Sequence, residues 1–469
     1  MKKFYFIYLL NLALLHVSCE KESFDYQQAS VGPDRIDTLI FNPSHYVLNT
    51  DGVSTLNLKL LPSYWGNSEK TYTAPIALSC FKPSDYAYYY EKEDGSEVKL
   101  ESDRLTFEPG TPAGKIKVFA RMFGQDTRKL EVELRPGWGE NVREKVIPVV
   151  FHIFQYTGTK NTDFVIDPIH IDEKMRKLNN AFSRLISTGA ASTDTKIRFQ
   201  LAERNQHGRV MAKPGINQIK FGSEKLNPED FGRFYDKSAQ FDWEAFSAEF
   251  SGFYDEVNHA FDWNAFFREF DEFYDENHVF DWNAFLNKFD EFRTDSEVFN
   301  WNNFLAAYEA DWNTDEFLNI WILPVGSVKV PSFMPAVITA GKTPLKGLEM
   351  KEVAADYTPA ASECGVVINY SAFVSSELNA VIGKFLGLLP TNNATVMDGD
   401  SDYCSDTFLY PKKEDTQETK NAVNKPICFT SDNIMDGKTQ NIAVTNEQAA
   451  RMHYVLENVP SRKMWKSAK

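Results

Sequence analysis

The sequence predicts a mixed α/β domain that carries a helical repeat insertion and follows an all-β, immunoglobulin-like sandwich. Three observations lead there. Residues 35–138 are short alternating strands broken by turns. Residues 139–469 set apolar strand-like runs between helices with one apolar face. Inside the latter, residues 223–315 repeat an aromatic unit whose copies begin 20, 19 and 19 residues apart.

The chain opens with Met1, Lys2 and Lys3, then an apolar run over residues 4–17, then Ser18 and Cys19. This order of charge, apolar run and small residue predicts a bacterial secretory signal over residues 1–19. Leu15 to Cys19 resemble a loose lipobox, which implies lipidation at Cys19. Glu20, Lys21 and Glu22 resemble the acidic export tag of Bacteroides-type lipoproteins. The expected location is the outer membrane or cell surface, with the membrane touched only through that lipid. Residues 20–34 read as a polar tether. No other run reaches the roughly 18 apolar residues needed to span a bilayer.

In the sandwich, TLNLKL at 55–60 alternates polar and apolar, as a half-buried strand does. Asp94 and Gly95 sit between two strand-like runs, a hairpin signal. Further short strands at this spacing suggest the sandwich. No catalytic constellation appears there, and its plain role is that of a spacer.

Past residue 139, VIPVVFHIF at 146–154 reads as a buried strand. Ile171, Met175, Leu178, Phe182 and Leu185 then recur at helical spacing. KIRFQLA at 196–202 and FLNIWIL at 317–323 are two more strands, and residues 365–370 a fourth. Thr445 with Gln448 is a capping box that opens a last helix, which stops near Pro460.

The repeat motif reads FDWEAF at 241, FDWNAF at 261, FDWNAF at 280 and FNWNNF at 299. Asp242, Asp262 and Asp281 suit helix N-caps, so each unit predicts one short helix of about 13 residues, too short to stand alone. Residues 241–312 hold 18 Asp and Glu against 3 Lys and Arg. That is nearly all the excess behind the chain's formal charge of −16, a balance that excludes nucleic acid as a partner. Two readings stand. Either the aromatic faces pack on one another or on the main domain, or they stay exposed as a platform for a partner.

Everything converges on residues 380–390, AVIGKFLGLLP. Val381, Ile382, Phe385, Leu386 and Leu389 lie at helical spacing, and Gly387 falls where glycine ends a helix. Downstream, Asn433, Ile434, Met435 and Asp436 form a turn-like sequence. The order of strands, this helix and that turn resembles the metzincin zinc proteases, specifically the pappalysin-like branch with its HExxHxxGLLHT pattern. The resemblance spans about residues 146–462. It implies a zincin fold, a zinc metalloendopeptidase ancestry, and Met435 as the methionine beneath the zinc. Gly437 stands where the family has tyrosine.

The chemistry does not follow the frame. Gly387, Leu388, Leu389 and Thr391 keep the GLL-T pattern, but the ligand positions hold Ala380, Lys384 and Pro390, and the general-base position holds Val381. A hydrolytic zinc needs three neutral imidazoles or carboxylates and an open water position. Alanine and proline offer no lone pair, and an ammonium repels a dication. A second register, with Ser376 and Ala380 as ligands and Glu377 as base, has no histidine either. Zinc is therefore not expected, and the chain reads as a pseudoprotease that binds a protein or peptide. Lys384 is the candidate binding residue; it enters the pocket vacated by the metal, or its amine reaches solvent. Two alternatives stay open: an active metallopeptidase with other ligands, and a surface-display scaffold built on the repeats.

Two smaller expectations complete the reading. Asp398, Asp400, Asp402 and Asp406 form an oxygen-rich loop of the kind that suits calcium, or an ordinary solvated loop. The resemblance implies a Cys404–Cys428 disulfide; Cys80 and Cys364 are left unpaired.

Overall fold

The structure, a computed structural model, describes residues 31–466 apart from 67–72, 140, 157–165, 222–234, 242, 256–259, 276–277, 290–292, 325–333, 376–377, 392–401, 408–418, 422–427, 431 and 437–441. The signal segment with Cys19 lies outside the described residues, as do Asp398 and Asp400. The chain divides into two compact units, residues 1–136 with 427–430, and residues 137–426 with 431–469.

The first unit is strand-rich. Its strands are β1 (Thr38–Pro43), β2 (Val47–Thr50), β3 (Leu56–Trp65), β4 (Thr73–Pro75), β5 (Tyr86–Glu91), β6 (Glu97–Lys99), β7 (Arg104–Leu105), β8 (Gly114–Met122), β9 (Gln125–Asp126) and β10 (Leu130–Pro136). One sheet runs β1-β3-β4, with β7 on β3; the other runs β2-β10-β8-β5-β6, with β9 on β8. Alternation decides which side chains go inward. Leu56, Leu58 and Leu60 of β3 are buried while Asn57 and Lys59 between them are exposed. The β5–β6 hairpin turns at Gly95, whose φ of +81° is a left-handed value that glycine adopts without strain.

The second unit is built on a parallel sheet of β11 (Lys145–Tyr156), β12 (Ile197–Leu201), β13 (Ile216–Phe221), β18 (Leu318–Leu323) and β21 (Gly365–Asn369). β12 and β13 share one side of β11, β18 takes the other, and β21 flanks β18. β18 is buried at every residue, as a central parallel strand covered on both faces must be.

One face is covered by α1 (Pro168–Phe182) through Ile171, Met175, Leu178 and Phe182, together with Ile382, Phe385, Met452 and Leu456 from later helices. Leu185 does not join that stripe. It lies past the helix end and is exposed, because the helix stops at Phe182.

The opposite face meets a second cluster, Phe154, Trp321, Leu323 and Val367 against Trp301, Phe304 and Leu305. His152 of β11 is wholly buried between Asn319 and Asn217, with a 2.9 Å contact on each ring nitrogen. Burial lowers its pKa to about 4.

Each repeat unit contains a helix of seven residues: α2 (Trp243–Glu249), α3 (Trp263–Glu269), α4 (Trp282–Lys288) and α5 (Trp301–Ala307). The sequence spacing suggested about twice that length. Instead the chain tightens after each of the first two helices into a single 3-10 turn, Ser251–Phe253 and Asp271–Phe273, then extends to pair with another unit. Two-residue strands β15 (Tyr254–Asp255) and β16 (Ala260–Phe261) pair, as do β14 (Tyr235–Phe241) and β17 (Arg293–Phe299). Between α5 and the sheet's last strand lie β19 (Val337–Thr339) and β20 (Lys351–Val353).

Candidate functional site

Chain leaving β21 at Asn369 passes through α6 (Tyr370–Ser375), a helix where the sequence suggested only a spacer. It then forms α7 (Asn379–Phe385), the helix of the HExxH-like frame. Ile382, Gly383 and Phe385 are buried; Ala380, Val381 and Lys384 are half-buried. Ala380 and Lys384, four residues apart, share one helical face.

The end of α7 is a complete Schellman turn. Leu388 N–H donates to Gly383 C=O at 2.9 Å, and Gly387 N–H to Lys384 C=O at 2.9 Å. Gly387 holds φ +88°, and a Cβ there would come within 2.7 Å of the Val455 side chain. The left-handed turn and the close approach of the last helix, α8 (Asn446–Asn458), both require glycine.

The remaining carbonyls at this helix end are capped by two buried arginines. Arg451 Nε donates to Gly387 C=O at 2.6 Å and Nη2 to Lys346 C=O at 2.8 Å. Arg462, 1% exposed, donates from Nε to Phe385 C=O at 2.7 Å, and its guanidinium lies 3.6 Å from the centre of the Phe385 ring. Cations are favourable at a helix C-terminus because they oppose its partial negative charge. Burial still pushes the Arg462 pKa down to about 10 and lowers that of Arg451. Neither arginine was singled out from the sequence. Arg451 sits in the last helix and Arg462 beyond it, and neither carries a local motif.

Met435 sits in a single 3-10 turn, Ile434–Asp436, and is buried. Its sulfur lies 2.7 Å from where a Cβ on Gly383 would stand, so the turn seats directly against α7. Thr391 N–H donates to Met435 C=O at 3.4 Å, and Thr391 Oγ1 hydrogen-bonds Asp436. The turn is also tied to α8. Asn433 and Gln448 exchange amide hydrogen bonds at 2.9 and 3.1 Å, and Gln448 completes the capping box with Thr445.

Structure thus brings α7, the Gly387 turn and Met435 together. The donor set for a zinc ion does not fit. Ala380 presents a methyl, Pro390 a saturated ring and Lys384 an ammonium, none a ligand at neutral pH. Among the described residues no group of three or more His, Cys, Asp or Glu converges as a metal site.

Asp402 and Asp406 are buried rather than solvated. Asp402 accepts from Cys404 N–H at 3.1 Å and Thr407 Oγ1 at 2.6 Å. Asp406 accepts from Thr445 Oγ1 at 2.7 Å and Glu447 N–H at 2.9 Å. The Asp406 carboxylate braces this loop against the N-terminus of α8, where negative charge is favoured, while Asp402 bonds within the loop itself.

Cys404 is a buried free thiol, and the expected bridge to Cys428 is not formed. Burial, and then the neighbouring Asp402 and Asp406, push the Cys404 thiol pKa far up. Cys80 and Cys364 are also free.

The peptidase M43 family model, described as pregnancy-associated plasma protein-A, matches residues 307–457. That span holds α7, Gly387 and Met435. No curated protein sequence matches the chain. Among solved structures, mature mirolysin of Tannerella forsythia in complex with a cleaved peptide aligns at 16% identity, over 69% of this chain and 96% of that one, with a TM-score of 0.38. A promirolysin mutant from the same organism aligns at 17% identity, over 69% and 85%, with a TM-score of 0.36.

Proposed function

We propose, for a chain whose residues 307–457 match the pappalysin peptidase model, that it is a non-catalytic metzincin-like protein which holds a protein or peptide without cutting it. One observation carries the reading: Ala380, Lys384 and Pro390 stand in the ligand positions and Val381 in the general-base position, on a helix still seated on Met435. Water bound to no metal keeps a pKa far above neutrality, and valine cannot take its proton. The Lys384 ammonium supplies instead a fixed positive charge that suits a carboxylate, such as a peptide C-terminus or an acidic side chain.

Two finer readings accompany it. The first unit is an immunoglobulin-like spacer, supported by its two sheets and by the parallel β2–β10 pair beside an antiparallel β10–β8–β5 run. The protein is anchored to the bacterial envelope through Cys19, supported by the composition of residues 1–19.

The test is metal analysis of the purified protein together with digestion of a denatured protein, with and without chelator. Absence of stoichiometric zinc and absence of chelator-sensitive cleavage are expected. One zinc per chain with cleavage that a chelator abolishes refutes the proposal.

A further inference from the structure

The acidic, aromatic insertion has a connectivity that the linear repeat conceals. Each unit begins at a phenylalanine, runs through its helix, and ends at a residue that pairs antiparallel with the start of another unit. Tyr254, at the end of the first, pairs with Phe261, the start of the second. Tyr274 pairs with Phe280, joining second to third. The third unit ends at Arg293. It does not pair with Phe299, where the fourth begins, but with Phe241, the start of the first. Phe299 pairs with Tyr235, at the other end of the β14–β17 ladder.

Side chains follow the same closure. Phe246, Phe266 and Phe285 occupy equivalent places in the three units, and each is 0% exposed. Every one of these rings meets both others, at centroid distances of 5.3, 5.6 and 6.3 Å. Four residues on, Phe250, Phe270 and Phe289 form a second triangle at 5.3, 5.8 and 6.2 Å. In an open stack each repeat touches only its neighbours, so the first and third would not meet. The fourth unit goes elsewhere. Its equivalents, Phe304 and Tyr308, lie against Phe154 of the main sheet at 5.2 and 5.6 Å.

We infer that residues 241–293 close into a three-unit ring on the β14–β17 stem, that three is the number the ring requires, and that the ring is separable as one piece from the main domain. A linear array gains surface with every copy; this lobe does not. The separable piece is residues 237–294, 58 residues, the offset between Phe241 and Phe299. Rejoining Asp236 to Asp295 restores a Tyr235-to-Phe299 link of seven residues, the same as Tyr274 to Phe280. The fourth unit then keeps both its pairing partner and its seat on Phe154.

Three variants of the full chain test this. Excision of residues 237–294 should leave a cooperative melt and no gain in binding of the apolar dye ANS. Excision of residues 261–279 removes one unit, opens both phenylalanine triangles, and should raise ANS fluorescence several-fold. Gln240→Cys with Thr294→Cys places thiols on paired positions of β14 and β17, within disulfide reach, and should give an intramolecular link by mass spectrometry. The ring is overturned if the one-unit excision is dye-silent and melts like the parent. It is equally overturned if the two cysteines fail to link in folded protein. Separability is overturned if removing all three units collapses the main domain.

Discussion

The Met435 sulfur lies 2.7 Å from the point a Cβ on Gly383 would occupy. A glycine inside a helix costs roughly 1 kcal/mol relative to alanine, so this one is retained against local propensity. The methionine turn uses the missing side chain as a socket. Gly383→Ala should therefore destabilise the protein by about 1–3 kcal/mol despite its better helix propensity. Met435→Ala should cost less in the Gly383→Ala background than in the parent, since there it also removes the clashing atom. A double-mutant cycle by urea denaturation measures the coupling, and additive losses would show that the two residues do not share the space.

Arg462 is one of the two buried cations at the end of α7. Replacing it with leucine or methionine leaves the carbonyls of Phe385 and Glu363 without their guanidinium donor. An unsatisfied buried acceptor costs about 1–3 kcal/mol, so Arg462→Met should lower stability by at least that much. Arg462→Lys should rescue little, because one ammonium cannot span both acceptors in the fixed fork geometry of a guanidinium. Chemical denaturation of both variants checks the order.

The frame of this site was legible in sequence because it rests on local signals. Glycine at a left-handed turn, helical spacing of Ile382 and Phe385, and the Thr445–Gln448 capping box all reappear in the folded chain. What was not legible is long-range. Arg462 reaches Phe385 from 77 residues away, and no local pattern announces it. The seven-residue helices of the insertion were overestimated because their aromatic stripe continues past the helix. Phe273 and Tyr274 keep helical spacing but serve a 3-10 turn and a β-bridge. The Cys404–Cys428 pairing rests on resemblance alone, with no local signal in the residues behind it, and the Cys404 thiol is free.

His152 makes stability depend on pH. Its folded pKa, about 4, lies below the ordinary value of 6.5 because burial disfavours the charged ring. Between these values the unfolded chain binds a proton that the native protein does not. The contribution is thus complete above about pH 6.5 and is lost as pH falls toward 4, amounting to about 3 kcal/mol over that window. His453, also lowered by burial and facing Lys145, acts in the same direction. Urea midpoints measured from pH 7 to pH 4 should decline, and His152→Gln should flatten the slope. An unchanged slope would place the titration elsewhere.

Restoring the missing donors is the most direct use of the preserved frame. Ala380→His, Val381→Glu, Lys384→His and Pro390→His together supply three imidazoles and a carboxylate on α7 and just beyond the Gly387 turn. If the helix and the Met435 turn still hold the geometry of a metal site, the quadruple variant should bind one zinc per chain, and the parent should bind none. Zinc binding to the folded state alone also raises thermal stability, by about 2.7 kcal/mol when free zinc is a hundredfold above its dissociation constant. Metal analysis and melting with and without zinc read both effects. The intermediate variant that keeps Lys384 should fail on both counts, because an ammonium in the second ligand position repels the ion. Stoichiometric zinc in that variant would mean that the metal is held outside this frame.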